Sequence, residues 1–466
     1  MSFARYPNYK DSGVEWLGEV PGHWEVKRLR FVAELNPSKS ETASIDRDTL
    51  VSFLPMDAIG EDGSLRLDVE KPISELESGY TYFRNGDVTV AKITPCYENG
   101  KGALMLGLLN DIGFGTTELI VARPNAAEIT GPYLHYLFIS PDFRNLGESH
   151  MYGAGGQKRV PDAFVRNFAT AFPPLPEQTQ IAAFLDRETA KIDGLVAEQR
   201  RLMALLKEKR QAVISHAVTR GLNPDAPMKP SDIEWLGDVP AHWETRTIAK
   251  ASTKITNGFV GPTRDILVDA GTPYIQATHI KNGRVNFDDG YFVRPDWSAA
   301  HSKSILREGD VLIVQTGAGT GDVGLVSENE VGYNCHALII VAPNKSLLHG
   351  TYLSAVLQST YGQEKLTSIE TGAMHPHLNC GEVKFVDLPV PPLAEQLSIV
   401  SYTIKSADKF DTLTAEAQRA IALLQERRTA LISAAVTGQI DVRDVQTDVP
   451  PARDSKPQSA VRSART

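Results

Sequence analysis

The sequence predicts an α+β protein built twice over: two mixed α/β domains separated and braced by two long antiparallel helices, a coiled coil, with a pseudo-two-fold internal repeat. Three observations predict it. Glu15-Trp16-Leu17-Gly18, Val20-Pro21, His23-Trp24-Glu25 returns as Glu234-Trp235-Leu236-Gly237, Val239-Pro240, His242-Trp243-Glu244. Pro173-Pro174-Leu175 with Glu177-Gln178 and Ile181 returns as Pro391-Pro392-Leu393 with Glu395-Gln396 and Ile399. Each half also carries short apolar runs followed by one long stretch of helical period. Such a duplication has built-in approximate two-fold symmetry, which suits a partner with two halves, a DNA duplex being the commonest.

Residues 1–25 form an N-terminal scaffold segment holding the first tryptophan motif. A mixed domain follows over 26–172. Its runs Asp87–Ala91 and Leu119–Ala122 are short, apolar and bounded by Gly, Asn and Asp, which marks strands, and Tyr133-Leu134 opens a short helix. Residues 173–222 are a spacer helix. Its apolar positions Ile181, Phe184/Leu185, Ile192, Leu195/Val196, Leu202/Met203, Leu206 and Val213/Ile214 step by three, four and seven, as an amphipathic helix seeking a partner helix requires. Unbroken, it spans roughly 65 Å at about 1.5 Å per residue. Gly194 costs about 1 kcal/mol relative to Ala and allows a break near Lys191–Gly194.

The second half repeats this order. Residues 223–244 combine a linker, Asn223 to Pro230, with the repeated scaffold segment. The second mixed domain, 245–390, has strand runs Asp310–Val314 and Leu338–Val341. Gly86-Asp87-Val88 matches Gly309-Asp310-Val311, Pro124-Asn125 matches Pro343-Asn344, and Tyr133-Leu134 matches Tyr352-Leu353. The second spacer helix, 391–443, runs through Ile399/Val400, Ile404, Ala407, Phe410, Leu413, Ala417, Ile421, Leu424 and Leu431/Ile432. Each helix finds its one long amphipathic counterpart in the other, so antiparallel pairing is expected. Residues 444–466, with little apolar content, read as a disordered tail.

Hydrophobic content of 42% and charged content of 23% are those of a globular protein. No run approaches the roughly 20 apolar residues of a membrane span. Met1 to Pro7 lacks the apolar stretch of a signal peptide, and Cys96, Cys335 and Cys380 have no disulfide or zinc spacing, so a reduced, cytoplasmic setting is expected. A net charge of −9 argues against a surface that coats nucleic acid all over, while leaving room for a local basic groove.

Enzyme signatures are weak. Gly319-Thr320-Gly321-Asp322-Val323-Gly324 fits the dinucleotide fingerprint, yet Leu325 to Gly332 reads as strand and turn, not as the helix whose N-terminus would hold a pyrophosphate. A hairpin loop is the expected form. The sequence holds no Walker A, HExxH or GxSxG motif, nor the Asn/Asp-Pro-Pro-aromatic of adenine methyltransferases. His375-Pro376-His377 has no matching metal ligands and reads as a turn. The tryptophan pairs read as packing, and Glu-Gln after Pro-Pro-Leu as first-turn residues favoured by the helix dipole. No catalysis is expected.

The copies agree at the helices and their entrances but differ in loops: Lys92–Lys101 against Gln315–Gly324, and Gly156–Arg159 against His375–Asn379. One scaffold with two unlike polar loop sets is what reading two different half-sites requires; unselected loop drift is the rival account. By side-chain chemistry and loop position the DNA-contact candidates are Lys92, Lys101, Gln157, Lys158, Arg159, Gln276, Lys281, Arg284, His375, His377 and Asn379.

The chain resembles the specificity subunits of type I restriction–modification systems. The resemblance covers residues 8 to 443. It rests on Tyr9-Lys10-Asp11-Ser12-Gly13-Val14-Glu15-Trp16-Leu17-Gly18 with His23-Trp24-Glu25, on the duplicated Pro-Pro-Leu-x-Glu-Gln entrances, and on the helix ends Lys207-Glu208-Lys209-Arg210 and Glu426-Arg427-Arg428 closing on Ala217-Val218-Thr219 and Ala435-Val436-Thr437. It implies two target-recognition domains, each reading half of a bipartite site in double-stranded DNA. The helices would set the spacing and dock two methyltransferase subunits, to which restriction/translocase subunits attach. S-adenosylmethionine, ATP and Mg would sit on those partners, with no cofactor in this chain. Glu177, Gln178, Lys209, Arg210, Glu395, Gln396, Arg427 and Arg428 are the docking candidates. Two alternatives remain: a tandem-domain coiled-coil adaptor that never touches DNA, and the specificity subunit of a methylation-only system.

Overall fold

The apolar runs form strands at the centres of sheets in a computed structural model that describes residues 3–154, 156–372 and 376–445. His375 and all but the first two residues of the expected tail, 444–466, lie outside the described residues. The chain divides into two compact units. The first comprises residues up to Glu198 together with those from Ala420 onward; the second is Gln199–Arg419. Each unit therefore contains the entrance of one long helix and the end of the other.

In the first unit, strands Ala33–Leu35, Leu119–Pro124, Val88–Ala91 and Gly102–Leu104 lie side by side in that order, all antiparallel. A second sheet orders Glu70–Pro72, Leu50–Leu54, Ile112–Gly115 and Thr81–Arg84, with Ile112–Gly115 parallel to Leu50–Leu54. All four residues of Val88–Ala91 are buried, the polar Thr89 included, so both faces of the strand are covered. Val88, Val90, Ile120 and Ala122 join a core with Tyr133, Leu134 and Leu137 of helix Gly131–Ile139. Ala91, Leu119 and Val121 join another with Leu54 and Phe83. The repeated Gly-Asp opens this strand as a turn. Gly86 has φ 88° and Gly309 φ 86°, where glycine carries no Cβ penalty, and the carboxylates of Asp87 and Asp310 accept from the backbone N–H of Arg84 and Arg307.

The second unit repeats the plan with an addition. Its main sheet runs Ser252–Asn257, Leu338–Pro343, Val311–Val314, Val323–Leu325, Gly283–Val285, Ile280–Lys281, so a hairpin extends an edge that no described strand extends in the first unit. The smaller sheet orders Leu267–Val268, Tyr291–Val293, Thr272–Ile275 and Asn334–Cys335, again with one parallel pair. The glycine-rich segment Gly317–Asp322 turns Val311–Val314 into antiparallel Val323–Leu325, Gly321 N–H donating to the Val314 carbonyl. It is a hairpin and supplies no helix N-terminus.

The long helices are Leu175–Arg220 and Leu393–Val436. The first is unbroken through Lys191–Gly194, so the break allowed by Gly194 does not occur; a Cβ there would meet nothing within 4 Å. In the first unit Ile181, Phe184 and Leu185 share a core with Leu431, Ile432, Ala435 and Val436, and further along Asp193 meets Arg428 at 3.0 Å. Advancing on one helix means retreating on the other, so these segments run antiparallel. In the second unit Arg210 pairs with Asp411 at 3.4 Å, while a Cβ on Gly221 would lie 3.4 Å from the Glu395 carboxylate, the same sense. Tyr133 Oη donates to the Val436 carbonyl and Tyr352 Oη to that of Val218, so a buried tyrosine holds each helix end. Beyond it come Gly221 and Gly438, both at φ 75°. From Gly221 the chain continues to strand Met228–Pro230; after Gly438, Asp441 bridges to Ala4, and Tyr9 Oη donates to the Gly438 carbonyl.

Each helix entrance is tied to its tryptophan segment by one carboxylate. Glu177 accepts from Tyr6 Oη at 2.6 Å and Trp24 Nε1 at 3.0 Å and bonds His23 Nε2 at 2.7 Å. Burial, foremost, raises the pKa of the Tyr6 hydroxyl far above its usual range, keeping it a donor. Glu395 bonds His242 Nε2 at 2.7 Å and accepts from Trp243 Nε1 at 3.0 Å. Trp24 and Trp243 have no exposed surface, whereas Trp16 stacks on Phe168 and Trp235 is 52% exposed with the Lys365 ammonium over its ring. The motif thus repeats in sequence but not wholly in environment.

These contacts generate two predictions. Glu177→Ala strands buried donors and lowers stability by about 3 kcal/mol, against about 1 kcal/mol for Glu395→Ala, whose carboxylate is partly solvated. Denaturant titration measures both, and equal losses would contradict the account. His135, on helix Gly131–Ile139, is pushed down to about 4 by burial and by the Arg428 charge. Its folded pKa is depressed, so its contribution is full above the unfolded value near 6.5 and is lost as pH falls toward 4. His135→Gln therefore loses up to about 2 kcal/mol less than the parent between pH 7 and pH 5.

Candidate nucleic-acid interface

In each unit the two unlike loops meet at one joint. In the first, Lys92–Lys101 leaves the central strand and Gly156–Arg159 returns to it: Val160 N–H donates to the Lys92 carbonyl at 2.8 Å, Thr94 N–H to the Lys158 carbonyl at 2.9 Å, and Arg159 bridges both Ile93 and Tyr152. In the second, Leu378 N–H donates to the Gln315 carbonyl at 2.9 Å, and His377 bridges both Thr316 and Thr371. Thr320 Oγ1 also donates to the Pro376 carbonyl. The backbone joint is common; the side chains it presents are not.

Lys92, Lys101, Gln157, Lys158 and Arg159 are gathered at the first joint. Gln157 and Lys158 are exposed and Lys92 is half-buried. Lys101 Nζ donates to the Met56 carbonyl at 3.1 Å. Arg159 is clamped by Glu118, with Nε 3.0 Å from Oε2 and Nη2 2.7 Å from Oε1. The Arg159 hydrogen bond is the main reason the Glu118 carboxyl sits below its ordinary pKa. Of the second set, His377 lies in the joint. Asn379 is half-buried and caps the short helix Cys380–Val383, its side chain accepting from Glu382 N–H, so its first duty is structural. Lys281 and Arg284 are exposed cross-strand partners on the added hairpin, beside the strand leaving the loop and not in the joint itself; Gln276 precedes that hairpin, half-buried, its N–H donating to His279 Nδ1.

Glu118 escaped sequence reading, as did Tyr152, 64% exposed beside Arg159. Glu118 had a signal: it precedes strand Leu119–Pro124, whose antiparallel pairing with Val88–Ala91 sets its backbone against Lys92, whose N–H donates to the Glu118 carbonyl.

The docking candidates divide. Gln178 and Gln396 have no exposed surface, and Glu177 has 6%. Gln178 accepts from Thr130 N–H and donates to the Glu128 and Pro173 carbonyls; Gln396 repeats this with His349, Leu347 and Pro391. Glu395 is tied to Trp243. These four lock the helix entrances internally: Glu177, Gln178 and Gln396 are buried with their bonds made within the chain, while Glu395 stays partly exposed. Arg210 and Arg428 are committed to Asp411 and Asp193. Lys209 and Arg427 are exposed. On the helices Leu195, Leu202, Leu205, Leu397, Tyr402, Ile404 and Leu423 also stand between 42% and 65% exposed.

Among the described residues no group of His, Cys, Asp or Glu is arranged to hold a metal ion, and no helix is long and apolar enough to cross a membrane. The family model for the type I restriction modification DNA specificity domain matches residues 21–200 and 236–422. The specificity subunit of the type I restriction enzyme EcoAI of Escherichia coli is 29% identical over 468 residues, 82% of this chain and 77% of its own length. That of EcoEI, also from Escherichia coli, is 40% identical over 189 residues, 40% of this chain and 31% of its own. A solved chain from work on complex assembly and conformational transition of the type I R-M system superposes with a TM-score of 0.72 over 90% of this chain and 98% of that one, at 20% identity, a likeness of fold.

Proposed function

Since the chain belongs to the type I restriction modification DNA specificity family, we propose that it is the DNA-reading, non-catalytic subunit of a methylating and restricting complex. The observation that carries this reading is the shared backbone joint presenting Lys158 and Arg159 in one unit and His377 in the other. Each unit reads one half of a bipartite site in duplex DNA, the residues 26–172 and 245–390 acting as the recognition domains. The long helices act as an antiparallel coiled-coil spacer that sets the gap between half-sites. Their exposed leucines, with Lys209 and Arg427, dock two methyltransferase subunits, through which restriction/translocase subunits attach. S-adenosylmethionine, ATP and Mg belong to those partners, and the complex works in the cytoplasm. With a net charge of −9, the chain shares phosphate contacts with the subunits around it.

Exchanging residues 245–385 for those of a relative is expected to change one half of the methylated sequence and leave the other intact, as read by methylome sequencing. A change in both halves, or in neither, refutes the division of labour. Arg427→Glu is expected to weaken co-purification with the methyltransferase subunit while leaving the salt slope of DNA binding unchanged. Arg428 is unsuitable for this test because its reversal breaks the ion pair with Asp193.

A further inference from the structure

We infer that Arg159 is a specificity-determining residue that reads a guanine in the half-site of the first unit, that Glu118 positions it, and that His377 holds the matched position in the second unit; this rests on the DNA-reading function proposed above. Topology identifies the match. Arg159 bridges Ile93 and Tyr152, His377 bridges Thr316 and Thr371, and the next residue of each, Val160 or Leu378, donates to the carbonyl of the residue just after the central strand, Lys92 or Gln315. One place in the fold thus carries unlike base-reading chemistry twice.

The geometry at Arg159 specifies what it reads. Glu118 takes the side of the guanidinium, with Nε and one N–H of Nη2, and Nη1 lies 3.4 Å from the Gln157 carbonyl. What remains is the end of the fork, one N–H each from Nη1 and Nη2, two parallel donors at the spacing of guanine O6 and N7. The side chain is 37% exposed, so this edge is reachable, and the carboxylate fixes the plane before any base arrives. Lys92, whose charge also acts on Glu118, and the adjacent Lys158 leave the joint cationic despite that carboxylate. Among the described residues His377 has no matching clamp: the residue preceding strand Leu338–Pro343, where Glu118 precedes Leu119–Pro124, is Ala337. An imidazole offers one bond to a base edge where the guanidinium offers two, so the second unit discriminates less at this position.

The test uses the chain co-expressed with its methyltransferase subunits, with methylome sequencing and competition binding of site variants as readouts. Arg159→Ala is expected to cut discrimination for one guanine in one half-site roughly ten- to hundredfold. Arg159→Lys keeps the charge and loses the fork, so discrimination falls while the salt dependence of binding stays. Glu118→Gln lowers the same ratio partway, and Glu118→Asp restores part of it; a merely structural role would shift affinity for all sites alike. His377→Ala relaxes one position in the other half-site only. Undiminished discrimination at every guanine by an assembled Arg159→Ala complex overturns the inference, as does a first half-site without guanine. Parental protein that directs no bipartite methylation overturns instead the underlying reading.

Discussion

The carboxylate at each long-helix entrance is the contact on which the arrangement depends. Glu177 is at once the first-turn acid of its helix, the acceptor for a fully buried tryptophan and the anchor of Tyr6 and His23 from the chain's opening segment. Buried donors leave no cheap alternative, since an indole N–H or phenol O–H without an acceptor loses its hydration for nothing. Gln178, the next residue, fixes the helix to the loop before Gly131–Ile139. Two adjacent side chains therefore set the direction in which the helix leaves its sheet, and their repetition at Glu395 and Gln396 sets it again.

Much of this was legible in the sequence because duplication turns spacing into a measurement. The strands at Val88–Ala91, Leu119–Pro124, Val311–Val314 and Leu338–Pro343 announced themselves as continuous apolar runs, and both long helices by their period. What escaped reading came from tertiary choice. Periodicity says that Leu195, Leu202 and Ile404 want burial; it does not say that this chain leaves them uncovered. Propensity flagged Gly194, yet a helix of 46 residues absorbs one weak position. Glu-Gln read as a first-turn dipole effect because most of its bonding partners lie far away along the chain.

The loop contrast was visible as unlike composition, but its meaning depended on backbone pairing. Only the bridges of Arg159 and His377 show that the compared segments occupy one place in two units. Residues chosen by chemistry alone were scattered more widely: Asn379 caps a helix, while Lys281 and Arg284 ride on a hairpin with no counterpart among the described residues of the first unit. A polar side chain in a loop is first a candidate for stabilising that loop, and its freedom to touch a ligand is what remains after local bonds are counted.

The glycines at 221 and 438 release each long helix into the same junction by different means. After the first, the polypeptide runs straight on into the next tryptophan segment; after the second, Asp441 and Gly438 lie against Ala4 and Tyr9, which open the other one. The covalent link present in one unit is replaced by mere adjacency in the other. What one unit achieves with a peptide chain of a few residues, the other achieves with a backbone bridge and one phenol hydrogen bond.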